Sequence, residues 1–218
     1  MQEIDDAAAS RAAVLMLFGV LDDAPASVAS DELRANAVSA DLDVLIVVRA
    51  ATLRKHAGQP AFPGGKIDPE DFEKAQAQGV PVTHVAALRE AVEETGVDPA
   101  GVVILGNFEE VGLPVSNFMV TPVLAWWNKP SAVLAQDAHE SSLVIRVPVA
   151  DLLDPENRHM AQVKNGKVTH RSPAFTVRQD GEEFVIWGFT GILLNRLFDA
   201  LGWTQPWDTR LRRPAPGY

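Results

Sequence analysis

The stretch Arg89-Glu90-Ala91-Val92-Glu93-Glu94-Thr95-Gly96-Val97 decides how the rest of the chain reads. At 3.6 residues per turn, Glu90 stands three residues before Glu93 and four before Glu94, so three carboxylates can project from one side of a helix. Arg89, four residues before Glu93, is close enough to hold that side chain. Glu-rich helix faces are ordinarily solvated surface, where such pairs add a few tenths of a kcal/mol. The other reading is a divalent cation that removes the repulsion among like charges, and Mg²⁺ prefers hard oxygen ligands.

What separates the two readings lies upstream. Phe62-Pro63-Gly64-Gly65-Lys66-Ile67-Asp68 is a rigid bend followed by two residues free to take positive φ. Such a loop can bring backbone carbonyls and amides against a ligand where a Cβ would obstruct.

Together the two segments resemble the Nudix hydrolase box: a glycine, five residues, an acid, a spacer, then Arg-Glu-hydrophobic-x-Glu-Glu-x-Gly-hydrophobic. Here the glycine is Gly65, the acid is Asp71, and the second half runs from Arg89 to Val97. The spacer departs from the family, because 17 residues, Phe72 to Leu88, intervene where the family has far fewer. Gly79-Val80-Pro81 within it cannot be uninterrupted helix. The segment therefore reads as an insertion, about residues 72–83, in a loop over residues 68–83. That leaves the role of Asp71 open, with Glu70 as the alternative.

A second resemblance precedes the box. Arg49, Ala50, Arg54, Gly58 and Phe62-Pro63-Gly64-Gly65 fall in register with the extension that marks the coenzyme A diphosphatase branch of the family. Val47 stands where that branch usually has threonine. The likeness covers most of the chain, from about residue 10 to 200.

Bulk properties agree with such a protein. The chain of 218 residues is long enough for a single well-cored domain over 1–218. A net charge of −10 argues against a nucleic-acid partner, and an anionic substrate must be drawn in by local positive charge. With no cysteine, disulfides and thiolate metal sites are excluded. The apolar run Ala12 to Leu21 is 10 residues, too short to span a bilayer. Glu3, Asp5 and Asp6 precede it, where a secretory signal would begin with basic residues. The expectation is a soluble, cytoplasmic protein with no membrane partner.

Strands are expected at 11–20, 42–49, 102–105, 118–127 and 143–149. The box helix should run from His84 to Thr95, stopped by Gly96. Residues 24–41 read as a loop with one short helical turn, 109–117 as an acidic loop, and 150–153 as a helical turn. A long charged excursion then runs through Lys167, before a hairpin of 169–177 with 182–187 across Gln179-Asp180-Gly181. Thr190 to Leu201 has its apolar residues at helical spacing, and residues 203–218 read as an irregular tail. Strands flanking two helices give an α/β fold, an α/β/α sandwich with a mixed sheet, as the Nudix resemblance also implies.

That resemblance implies water attacking a diphosphate with the help of Mg²⁺ or Mn²⁺. By analogy Glu90, Glu93 and Glu94 would be metal ligands, Glu94 central, with the Gly64 carbonyl completing the shell and Arg89 orienting Glu93. Glu140 is the chosen general base, against the plainer reading of a surface glutamate; Glu109 and Glu110 are further candidates. Arg49 and Arg54 suit phosphate recognition, with Lys66 and Lys55 as helpers, although Lys55 also reads as surface charge. His56 reads as structural. Trp126, Trp127 and Trp187 read as core residues, any of which could offer a stacking face to adenine. The implied substrate is a small nucleotide, coenzyme A or its thioesters, and the implied products are 3′,5′-ADP and 4′-phosphopantetheine. The alternatives are another nucleoside diphosphate derivative or a non-catalytic Nudix-fold binding domain. Homodimers are frequent in the family, which leaves a homodimer open.

Overall fold

The computed structural model describes residues 9–20, 38–39, 41–50, 58–113, 116–137, 141–166, 168–179 and 181–217. Strands β1 (Ser10–Val20) and β2 (Leu42–Arg49) form where the apolar runs predict them. Then come β3 (Pro60–Ala61), β4 (Gly64–Lys66), helix α1 (Pro69–Gln78) and helix α2 (Val82–Thr95). Strands β5 (Val102–Asn107), β6 (Val111–Leu113), β7 (Phe118–Trp127) and β8 (Ser141–Pro148) follow, then the short helix α3 (Val149–Leu153). The C-terminal part holds β9 (Arg158–Asn165), β10 (Val168–Gln179), β11 (Glu182–Ile186), α4 (Gly188–Ala200) and β12 (Arg212–Pro214). The reading of residues 24–41 falls almost wholly outside the described residues.

Strands β1 to β8 form one mixed sheet with the path β3-β2-β1-β7-β5. The β1–β7 pair is parallel, while β1–β2, β2–β8 and β5–β7 are antiparallel. Both faces of β1 are apolar because both are covered. Ala13, Leu15 and Leu17 meet Ala86, Ala87 and Ala91 of α2. Met16 and Phe18 belong to the opposite core with Leu152 and Leu153 of α3 and Leu193, Leu194, Leu197 and Phe198 of α4. The small alanines let α2 lie close to the sheet, which fixes where its polar face emerges.

Five sequence expectations need correction. The inserted segment is not a loop: Asp68, Pro69 at the first helical position and two first-turn acids open α1, and Gly79 closes it with φ 66°. Pro81 then begins α2 two residues earlier than expected, so Gly79-Val80-Pro81 is the joint between two helices. The acidic loop contains β6, an edge segment paired with β7. The charged excursion contains β9, and the tail contains β12; these join β10 and β11 in a second sheet of order β11-β10-β9-β12. These strands carry little periodic signal: β9 pairs with its neighbour β10 and offers only Ala161 and Val163 to a small apolar cluster, and β12 is exposed and pairs with β9. The predicted hairpin forms, with Gln179 opposite Glu182.

The tail is held by more than pairing. Trp207 stacks on the Arg158 guanidinium at 4.6 Å, with the Phe175 ring on that cation at 5.0 Å. Burial pushes Arg158 down to about 10, against the attraction of Asp199. Among the described residues no helix is long and apolar enough to cross a membrane.

His159, opposite Ala174 in the second sheet, is 2% exposed. Burial lowers its pKa below the ordinary 6.5, and the Arg213 charge lowers it further. The unfolded chain thus binds a proton that the folded one refuses, so His159 stabilises the fold above pH 6.5 and that contribution fades as pH falls. The urea midpoint is expected to drop between pH 7.5 and pH 5.5, and His159→Asn should flatten that dependence.

Candidate active site

One guanidinium organises the site. Arg89 Nε and Nη2 donate to Asp71 Oδ1 and Oδ2, each at 3.0 Å. Its Nη1 donates to Glu90 Oε1 at 2.9 Å and to Glu93 Oε2 at 3.0 Å, and Nη2 also donates to the Lys66 carbonyl at 2.9 Å. Arg89 therefore ties α2 to α1 and to the glycine strand β4 at once. The Asp71 side chain is 0% exposed and also accepts the Asp68 N–H at 2.8 Å. Burial would raise the Asp71 carboxyl, but the Arg89 hydrogen bonds and the Asp68 amide outweigh it and hold it below 3.8. Glu70, the alternative acid, is 81% exposed and among the described residues reaches Lys74 at 3.8 Å. The geometry thus favours Asp71 as the acid that acts with the box helix, despite the long spacer.

The glycine turn meets α2 face to face. Gly64 N–H donates to Glu94 Oε2 at 3.0 Å. A Cβ on Gly65 would fall onto the Glu90 carboxylate, and one on Gly64 would meet Val14 Cα at 2.7 Å. Neither position has room for a side chain. Burial raises the Glu90 carboxyl above its ordinary range, Arg89 pulls it back, and the Glu93 charge adds to the rise.

Glu90 and Glu94 lie on the wall of a cavity of about 560 Å³ that also reaches Gly64, Lys66, Arg49 and Phe62. Arg49 presents a buried Nε without a hydrogen-bond partner among the described residues. The Lys66 ammonium lies over the Phe118 ring at 5.7 Å. The cavity therefore carries carboxylates on one side and cations beside them, in a protein that is acidic as a whole.

Not every expected residue comes to this place. Glu93 is held by Arg89, its side chain 57% exposed, and it is not on the cavity wall. Among the described residues no three carboxylate or imidazole side chains converge closely enough to form a metal cluster. Glu110 accepts from Arg11 at 3.0 Å and from Thr121 Oγ1 at 3.3 Å, and it is not on the cavity wall. Arg54, Lys55, His56 and Glu140 lie outside the described residues. Trp127 is 2% exposed beneath Arg146, and Trp126 packs against the core; Trp187 packs against the small cluster of Ala161, Ala174 and Ala215 and also reaches the cavity. Phe189 and Thr190, which also line the cavity, were not expected there. Their distance in sequence from the box gave no signal.

The chain is similar to known proteins. The family model described as NUDIX domain matches residues 33–171. The uncharacterized Nudix hydrolase NudL of Salmonella paratyphi B is 33% identical over 73% of this chain and 75% of its own length. NudL of Photorhabdus laumondii is 31% identical over 71% of this chain and 74% of its own. Among solved structures, the Nudix hydrolase RenU of M. smegmatis superposes with a TM-score of 0.45 at 19% identity, covering 66% of this chain and 73% of its own.

Asp71→Ala should cost about 2–4 kcal/mol, at the low end for a broken buried pair because Arg89 keeps some solvent contact. Glu70→Ala should change stability by less than about 0.5 kcal/mol. Urea denaturation of the two variants checks the contrast. The Asp71 contribution is present above pH 3.8 and is lost as pH falls below it.

Proposed function

This chain belongs to the Nudix hydrolase family, and from that premise we propose that it cleaves the diphosphate of coenzyme A or its thioesters. The products would be 3′,5′-ADP and 4′-phosphopantetheine or its acyl form. That it is a hydrolase of a nucleoside diphosphate derivative follows from the family; the coenzyme A assignment is our reading. The observation that carries it is Arg49. This arginine, in register with the extension before the box, lines the same cavity as Glu90, Glu94 and Gly64 and holds a buried N–H in reserve. Coenzyme A carries a phosphate beyond its diphosphate, and a guanidinium suits such a group by its planar fork of donors. Arg54, Lys66 and Lys55 would add to this positive rim.

Nudix hydrolases generally need a divalent metal cation. The donors present are of the kind such an ion takes, hard carboxylate oxygens, with Glu90 buried enough to gain from a positive neighbour; Glu90 and Glu94 already share the cavity wall, while Glu93 would have to leave Arg89 to join them. Glu90, Glu93 and Glu94 with the Gly64 carbonyl would hold Mg²⁺ or Mn²⁺. When bound, the cation supplies charge to neutralise phosphate oxygens and to acidify water. The chain's own part is placement. Gly64 N–H steers the Glu94 carboxylate, and Arg89 holds Glu90 against the turn and binds Glu93 beside it on the exposed side. Lys66 and Arg49 would orient the anionic substrate, and Glu140 would accept the proton of the attacking water. A cytoplasmic setting, where coenzyme A is available, and a homodimer are part of the same reading.

Glu94→Gln should lower kcat by more than the roughly 10–100-fold that loss of a supporting residue costs a metal site. Circular dichroism should show the fold intact. In a panel of coenzyme A, acetyl coenzyme A, NADH, ADP-ribose and nucleoside triphosphates, the first two should show the highest kcat/KM. Preference for another dinucleotide by an order of magnitude would reject the assignment. Arg49→Ala should raise KM for coenzyme A more than for dephospho-coenzyme A, since only the former carries the 3′-phosphate.

A further inference from the structure

One wall of the cavity is built by residues that the family match does not reach. Trp187, Gly188, Phe189 and Thr190 line it, and all four lie beyond Arg171, the last matched residue. They form the corner between β11 and α4. Trp187 is extended, with φ −149° and ψ −172°, and Gly188 then turns the chain at φ 63°. That positive φ suits glycine, because a Cβ there would be strained.

The corner is fixed from behind by the second sheet. Gly188 N–H donates to the Oγ of the buried Ser172 at 2.9 Å. Helix α4 sits so close to β10 that a Cβ on Gly191 would strike the Pro173 carbonyl oxygen. Strand β11 also packs beside β3, which brings the corner next to Pro60, Ala61 and Phe62 of the opposite wall. The aromatic side chains are therefore carried by a braced element and not by a free loop.

We propose that Trp187 and Phe189 form the subsite that stacks the purine base of the substrate. This deepens the diphosphatase reading above and rests on it for the identity of the whole substrate. Aromatic faces accept a planar heterocycle whatever its edge pattern. The hydroxyls of Thr190 and Ser116 on the same cavity offer partners for a polar ring edge. A pantetheine arm would lose many rotatable bonds against this wall, whereas a rigid base loses few, so the base gains more from the same contact. The cavity runs from the Glu90 and Glu94 wall to this corner, so a diphosphate at the one would place a linked base at the other.

The test is a calorimetric titration of the metal-free full chain with 3′,5′-ADP and, separately, with 4′-phosphopantetheine. Trp187→Ala and Phe189→Ala should each raise the Kd for 3′,5′-ADP by at least about fivefold. Trp187→Phe, which keeps an aromatic face, should recover most of the affinity and covers the case in which Trp187→Ala misfolds. Affinity for 4′-phosphopantetheine should stay within about twofold of wild type. Unchanged binding of 3′,5′-ADP in the variants, no binding of it by wild type, or a loss confined to 4′-phosphopantetheine would each overturn the subsite. Coenzyme A turnover with Mg²⁺ is measured on the same wild-type preparation. Absent turnover beside intact, Trp187-dependent 3′,5′-ADP binding would sink the diphosphatase reading and leave the subsite standing.

Discussion

The site depends on one partly buried cation, Arg89, shared among Asp71, Glu90, Glu93 and the Lys66 carbonyl. Three carboxylates on adjacent turns repel, and a helix that carries them needs a positive partner on the same side. Asp71 is the fully buried partner of that cation, and its hydrogen bonds raise the Arg89 pKa further above its already high value. The charge is thereby permanent. The same guanidinium joins three consecutive elements, β4, α1 and α2, and so fixes where the Glu90 carboxylate meets the glycine turn.

Around that point the sheet supplies precision of position. The alanines of α2 against β1 set the depth of the helix, and the two glycines of β4 let its backbone reach the helix carboxylates. A side chain at either glycine would push the turn away, since Glu90 and Val14 already occupy the space. Electrostatics follow from this packing. A chain of net charge −10 presents Arg49 and Lys66 beside its half-buried carboxylates, which makes the cavity locally suited to an anion.

The insertion shows how a correct local reading can mislead about a longer segment. Gly79-Val80-Pro81 does interrupt helix, as its chemistry requires, but it separates α1 from α2 instead of lying within a loop. The signals for α1 were present: Asp68, Pro69, acids in the first turn and a closing glycine. The second sheet is a different case. Strand β9 alternates over only Ala161 and Val163 and β12 not at all, and they form because β10 offers a partner to β9, and β9 one to β12.

The sequence alone determined the sheet strands β1, β2 and β7, the box helix with its Gly96 stop, the Arg89–Glu93 pair and the glycine turn. These are features of local spacing, because turn geometry and burial on both faces leave a pattern in adjacent residues. Only the tertiary structure decided between Asp71 and Glu70, set Glu93 off the cavity wall, and chose Trp187 over Trp126 and Trp127 as the cavity residue. Those choices turn on which side chain is buried and what faces it across the fold, and no periodicity along one chain records what a distant segment will bring alongside.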